Sequence, residues 1–286
     1  MTQVEEMAAF AEVFRNSPRT GDSLLRATAF GAGFNVTERP VKGCSDFDCF
    51  MTTVEKCHTI DSHIFFLHGG GHKIEASLHK DLIEHFAALG FRVTAVAYPL
   101  APEHQYLEQH EAVWLAFKQL EAEYPDDRFV LFGDSCGADL SLELCFRLKR
   151  EGDERRPLKA AFVSPACDMS LTDPRLLESA KVDRTLPLDC LQLCADAYAP
   201  ADKLTDPLVS PIYAPDDWYE GLGEFLIYYS DSEILYPDAE RLIAKLKSNG
   251  CSVYAFRAAG QVHDYILQLN VPESIYTIAG IAEFYK

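Results

Sequence analysis

The chain has 286 residues, of which 48% are hydrophobic and 24% charged, and its 26 basic and 44 acidic side chains give a formal charge of −18. This much apolar material excludes intrinsic disorder as the main state and suits one α/β domain. The acidic balance excludes a nucleic-acid binder, whose phosphate partner needs a basic surface, and argues against an anionic membrane as partner.

In chain order, residues 1–45 carry a helical pattern (Val4, Met7, Phe10, Ala11, Phe14) before any strand. Phe47–Val54 then reads as a strand, and His63–Leu67 as a short apolar run ending in glycines. A helix is predicted over Ser77–Leu89, a strand over Phe91–Tyr98, a helix over Leu107–Glu123 and a strand over Phe129–Gly133. Ala138–Lys149 is again helical and Ala160–Ser164 again a strand. Residues 170–222 interrupt this rhythm with Asp-Pro, Ala-Pro and Ser-Pro breaks around one helix near Leu186–Tyr198. A strand at Phe225–Tyr229, a helix at Asp238–Ser248 and a strand at Val253–Phe256 restore it. Strands alternating with helices imply parallel βαβ units and a sheet covered on both faces. The expectation is a single domain over 1–286. About 1–45 and about 170–222 would form a cap over the strand ends, where sites in such sheets form. The late strand SVYAFRA is a candidate open edge for pairing two copies into a homodimer.

Nine cysteines are present. The opening MTQVEEMAAF has no basic n-region, and no apolar stretch approaches the roughly 18 residues of a membrane span. A cytoplasmic protein with reduced thiols and no membrane association is therefore expected. Cys190 and Cys194 share a predicted helix, but no second closely spaced Cys or His pair accompanies them, so no metal is expected.

Three motifs carry chemistry. Gly133-Asp134-Ser135-Cys136-Gly137 follows the run FVLF and opens a helix. A serine on such a strand-to-helix turn holds its hydroxyl above the sheet. The flanking positions need glycine because a Cβ there would strike the neighbouring helix and strand. A plain βα turn is the alternative for this motif taken alone. His68-Gly69-Gly70-Gly71-His72 follows IFFL and leaves backbone N–H groups free to approach the oxygen of a tetrahedral intermediate. A phosphate loop would need a Lys-Ser/Thr pair, which Lys73-Ile74 does not supply. His68 lies upstream of the serine and reads as a brace of the loop rather than a base. Gly260-Gln261-Val262-His263-Asp264 follows the last strand and offers His263 as the base. Its carboxylate partner would come from Ser230-Asp231-Ser232-Glu233, where Asp231 and Glu233 both stand open and helix capping is the structural alternative. Serine, then acid, then histidine is the chain order of an α/β-hydrolase sheet.

These motifs, with YPLAPEH at 98–104, SPACDMSLTDP at 164–174, PLVSPIYA at 207–214 and DSEILYPDAERL at 231–242, make residues 60–270 resemble the hormone-sensitive-lipase-like family of α/β hydrolases, the bacterial type IV esterases. The resemblance implies an α/β-hydrolase fold, with a mostly parallel eight-stranded sheet, covering helices and a helical cap. It also implies a serine carboxylesterase that takes small, short-chain or aromatic esters through an acyl-enzyme, without a cofactor. By position, Ser135 is then the nucleophile and His263 the base. Glu233 is the acid and Asp231 its rival, and the oxyanion hole is formed by the N–H groups of Gly70, Gly71 and Cys136. Asp134 would brace the loop. The chain departs from the family at Cys136 (usually Ala), Ala138-Asp139 (Gly-Asn), Pro99 (Arg) and His72 (a bulky apolar residue). His72 would make the acyl pocket more polar, and Cys136 beside the nucleophile would expose the site to thiol reagents. An amidase, deacetylase or dehydratase using the same site is the first alternative. A non-catalytic small-molecule binding protein is the second, and His263 opposes it.

Overall fold

The computed structural model describes residues 26–44, 48–74 and 79–286. Among these, eight strands form one sheet: β1 (Asn35–Pro40), β2 (Phe50–Glu55), β3 (Ser62–Leu67), β4 (Arg92–Ala97), β5 (Arg128–Asp134), β6 (Lys159–Val163), β7 (Glu224–Tyr229) and β8 (Ser252–Arg257). Their spatial order is β1-β2-β4-β3-β5-β6-β7-β8, and only β2 runs against the rest. The principal helices are α1 (His79–Ala88), α2 (Tyr106–Glu123), α3 (Cys136–Arg150), α4 (Leu188–Tyr198), α5 (Tyr236–Ser248) and α6 (Pro272–Tyr285).

The two-residue period of the central strands sorts their side chains into two layers. Phe65, Leu67, Leu131 and Phe162 meet α2, α3 and α5 on one face. Ile64, Phe66, Phe132 and Val163 meet α1 and α6 on the other. This double burial is why β3, β5 and β6 read as continuous apolar runs. At the far edge, β8 leaves Tyr254 and Phe256 about half exposed. No helix among the described residues is long and apolar enough to cross a membrane.

The segment 1–45 departs from expectation. Its predicted helix at residues 4–14 lies outside the described residues, and Asn35–Pro40 is not cap but β1, paired with β2 at the sheet edge. An edge strand exposed on one side and ending in proline has little apolar alternation to betray it. The segment 170–222 instead builds a third apolar cluster around Leu186, Cys190, Leu191, Cys194 and Tyr198, which packs on Ile234 and Leu235 just beyond β7.

Candidate active site

β5 ends at Asp134 and α3 begins at Cys136, so Ser135 alone makes the turn, at φ 49° and ψ −122°. Such a backbone is costly and must be held by its surroundings. Ser135 N–H donates to the Val163 carbonyl at 3.0 Å, and the Ser135 carbonyl accepts from Ala138 and Ala166 N–H at 3.2 and 3.1 Å. A Cβ at Gly137 would be driven into the Leu67 carbonyl of β3, and one at Gly133 into the backbone of α3. The strand and the helix thus both require glycine here.

The loops after β7 and β8 bring two further groups to Ser135. His263 Nε2 lies 3.1 Å from Ser135 Oγ, and His263 Nδ1 lies 2.9 Å from Glu233 Oε2. Glu233 is fully buried, and its other oxygen accepts the Ser230 N–H at 2.8 Å. Ser230 Oγ donates to the Gln261 carbonyl at 2.5 Å, tying the two loops together. Asp183, from the segment between β6 and β7, accepts the N–H groups of Thr185, Leu186 and Ile234 at 2.7, 2.9 and 2.6 Å. It thereby fixes the residue next to Glu233. Asp231 turns elsewhere: it accepts the Gly260 N–H at 2.9 Å and faces Arg257 Nε at 3.8 Å. Burial works against charge on His263, but Asp264 and Glu233 outweigh it and hold the imidazole well above its ordinary range.

The glycine loop lies against the same turn. Gly70 has φ +119° and its carbonyl accepts from Lys73 and Ile74 N–H at 3.2 and 2.9 Å. Gly69 N–H donates to Asp134 Oδ1 at 3.1 Å, and His79 Nε2 lies 2.7 Å from Asp134 Oδ2, so Asp134 does brace this loop. His68 stacks on Tyr98 with ring centres 4.4 Å apart, and Tyr98 donates its hydroxyl to the His68 carbonyl at 2.7 Å. Cys136 N–H, in the first turn of α3, is one of the donors that a helix start leaves without an intrahelical acceptor.

Two expectations are corrected. His72 does not line a polar pocket: its ring is fully buried, stacked on Tyr198 of α4 at 3.6 Å, with Nδ1 3.0 Å from Gln109 Oε1. Burial lowers its pKa to about 3, so it stays neutral. Cys136 does not expose its thiol. The sulfur is buried behind the turn, accepts the His72 N–H at 3.1 Å, and is pushed up out of the reactive range by burial. Sequence reasoning also passed over Gln109, Asp183, Ser230 and Asp264. Asp264 alone carried a signal, by following His263 directly; its Oδ2 is 3.1 Å from His263 Nε2.

A cavity of about 190 Å³ lies between α2 and α3, lined by His110, Trp114, Glu143 and Arg147 among others. Its lining includes none of Ser135, Glu233 or His263, so it is separate from this site. Among the described residues, no group of three or more His, Cys, Asp or Glu side chains is placed to hold a metal ion.

A hydroxyl on a strained strand-to-helix turn, with a histidine and a buried carboxylate brought from later strands, defines a class. Residues 64–267 match the alpha/beta hydrolase fold, and the chain belongs to that family. Within it, the curated relatives that the chain matches are esterases. The chain is 33% identical over 227 residues to an esterase of Acinetobacter venetianus, covering 77% of this chain and 73% of that protein. It is 29% identical over 233 residues to esterase LipU of Mycobacterium tuberculosis, covering 78% and 77%. An esterase from the bacterial hormone-sensitive lipase family superposes with a TM-score of 0.80 at 24% identity, over 100% of this chain and 91% of that one. Carboxyl esterase 2 of Tuber melanosporum superposes at 0.82 with 18% identity, over 98% and 97%.

Proposed function

We propose that the protein is a cytoplasmic serine carboxylesterase that hydrolyses small, short-chain or aromatic carboxylic esters through an acyl-enzyme. The observation that carries this reading is the unbroken path Ser135 Oγ to His263 Nε2 at 3.1 Å and His263 Nδ1 to Glu233 at 2.9 Å. His263 takes the hydroxyl proton as Ser135 Oγ attacks the ester carbonyl. Glu233 holds the Nδ1–H tautomer and stabilises the imidazolium that forms. Gly70, Gly71 and Cys136 N–H groups receive the oxyanion, where each preorganised donor is worth about 2.7–4 kcal/mol. The imidazolium then protonates the departing alcohol. Water, deprotonated by the same histidine, releases the acid.

The cap reading of residues 170–222 rests on their separate apolar cluster beside the acid loop. Turnover of p-nitrophenyl acetate, with mass spectrometry of a serine adduct from a fluorophosphonate, tests the assignment. Ser135→Ala is expected to lose both, and a Ser135→Ala protein with full turnover refutes it. An amidase predicts efficient turnover of the matched p-nitroanilide, which an esterase leaves largely intact. A binding protein predicts neither turnover nor adduct. Pairing of two copies along β8 predicts a dimer by light scattering, and a monomer at assay concentration refutes that association.

A further inference from the structure

The carboxylate next to the base has no role in the scheme above. Asp264 takes the left-handed backbone, φ 50° and ψ 38°, which penalises a residue bearing a Cβ. Its N–H donates to Ser164 Oγ at 3.2 Å. Its side chain is 14% exposed, and Oδ1 is buried with no hydrogen-bond partner among the described residues. Its Oδ2 stands 3.1 Å from His263 Nε2, the nitrogen that also meets Ser135 Oγ at 3.1 Å. A strained backbone, a sequestered carboxyl and an unpaired oxygen bring the fold no packing gain. Conflicts of this kind gather where chemistry is done.

Building on the esterase reading, we propose that Asp264 is a second carboxylate on the catalytic base, pairing with Nε2 of protonated His263, competing with Ser135 for that nitrogen, and moving the acid limb of activity to higher pH. The two carboxylates bracket the ring, Glu233 at Nδ1 and Asp264 at Nε2. Only the imidazolium carries a proton on both nitrogens. The neutral tautomer that the reaction needs turns its Nε2 lone pair toward Asp264, and the two repel. In the attack, the Oγ–H bond breaks, its proton goes to that lone pair, the Oγ–C bond forms and the carbonyl π pair moves onto oxygen. An Nε2 already protonated and held by Asp264 cannot begin this sequence.

Two features of the surroundings oppose charge on Asp264, and His263 works against them. Asp134, at the end of β5 and in contact with His79 of α1, adds negative charge beside Asp264. Asp231 and Arg257 face one another at the Gly260 end of the loop, and Arg184 donates to the Gly260 carbonyl. Burial pushes the Asp264 carboxyl up to about 6, against the pull of His263.

Asp264→Asn removes the charge, keeps the size and tolerates the left-handed backbone. The acid limb of kcat/KM for p-nitrophenyl acetate is expected to move down by about one pH unit or more. Below both limbs, the variant would then gain about tenfold relative to its own plateau, compared with wild type. Asp264→Gly, which relieves the backbone, is expected to show the same shift and serves if the Asn protein does not fold. The ¹³Cε1 resonance of His263, assigned by its loss in His263→Gln, should titrate at lower pH in either variant. That readout needs no turnover, so it judges Asp264 even if the chain proves not to be an esterase. A folded Asp264 variant whose acid limb and His263 titration both match wild type overturns the proposal.

Discussion

Replacing Glu233 with glutamine keeps the volume of the side chain and removes its charge. The carboxylate is fully buried, with one oxygen 2.9 Å from His263 Nδ1 and the other accepting the Ser230 N–H at 2.8 Å. The contact to the ring is a hydrogen bond to a charged group, worth about 1.5–3 kcal/mol. At about 1.4 kcal/mol per decade, its loss alone slows acylation by about 10- to 150-fold. The amide adds a second penalty. Its NH₂ can turn toward Nδ1 and select the tautomer protonated on Nε2, which cannot accept the Ser135 proton. An Asp→Asn change of this kind costs about 10⁴ in kcat in a Ser-His-Asp protease. The expected fall in kcat for Glu233→Gln is therefore about 10²- to 10⁴-fold, with little change in KM. Asp231→Asn is the control. Asp231 is 33% exposed, its amide oxygen can still accept the Gly260 N–H, and it loses only a 3.8 Å pairing with Arg257. Such pairs are worth about 0–1 kcal/mol, so kcat should stay within about fivefold. Steady-state kinetics on p-nitrophenyl acetate, with thermal melts to show both variants folded, give the comparison. If Asp231→Asn loses more than Glu233→Gln, the assignment of the acid is wrong.

Three further outcomes are expected. Iodoacetamide should alkylate the exposed Cys57 first and leave turnover intact, because the Cys136 thiol is buried. Activity lost in step with Cys136 alkylation, followed by peptide mass spectrometry, would contradict this. Gly137→Ala drives a Cβ into the Leu67 carbonyl and should cost about 1–3 kcal/mol or more. At about 2–4 °C per kcal/mol for a chain of this size, the melting temperature should fall by about 2–12 °C, and an unchanged melt refutes the clash. Asp183→Ala strands the buried N–H groups of Leu186 and Ile234, at about 1–3 kcal/mol each. It should lower kcat by loosening the loop that carries Glu233, and a variant less stable yet fully active in kcat would show that the loop holds without it.

Much of this architecture was legible because the physics is local. Buried strands such as β3 and β5 announce themselves as apolar runs, and α2 and α3 by their spacing. The elbow around Ser135 is readable because two glycines are forced by close approach. β1 was missed because an edge strand needs no apolar face, and α6 because Ile278, Ile281 and Tyr285 are interleaved with further apolar residues that blur its buried stripe. The residues alone left Asp231 and Glu233 both open, and only the family resemblance favoured Glu233: the two share one turn, and the backbone path decides which reaches His263. His72 was misread because the ring that covers it, Tyr198, comes from a distant helix. No local pattern encodes such a contact.

The stack of His72 on Tyr198 has a mechanical consequence. Gln109 holds the His72 ring at 3.0 Å and its carbonyl at 3.2 Å, and Tyr198 is held in turn by His110 at 2.9 Å. Helix α4 is therefore bolted to the residue that follows Gly70 and Gly71. A swing of α4 large enough to break the stack would drag the proposed oxyanion donors out of aim. Under the cap reading proposed above, remodelling α4 to accept bulkier molecules would also disturb the support of those donors and trade scope against speed.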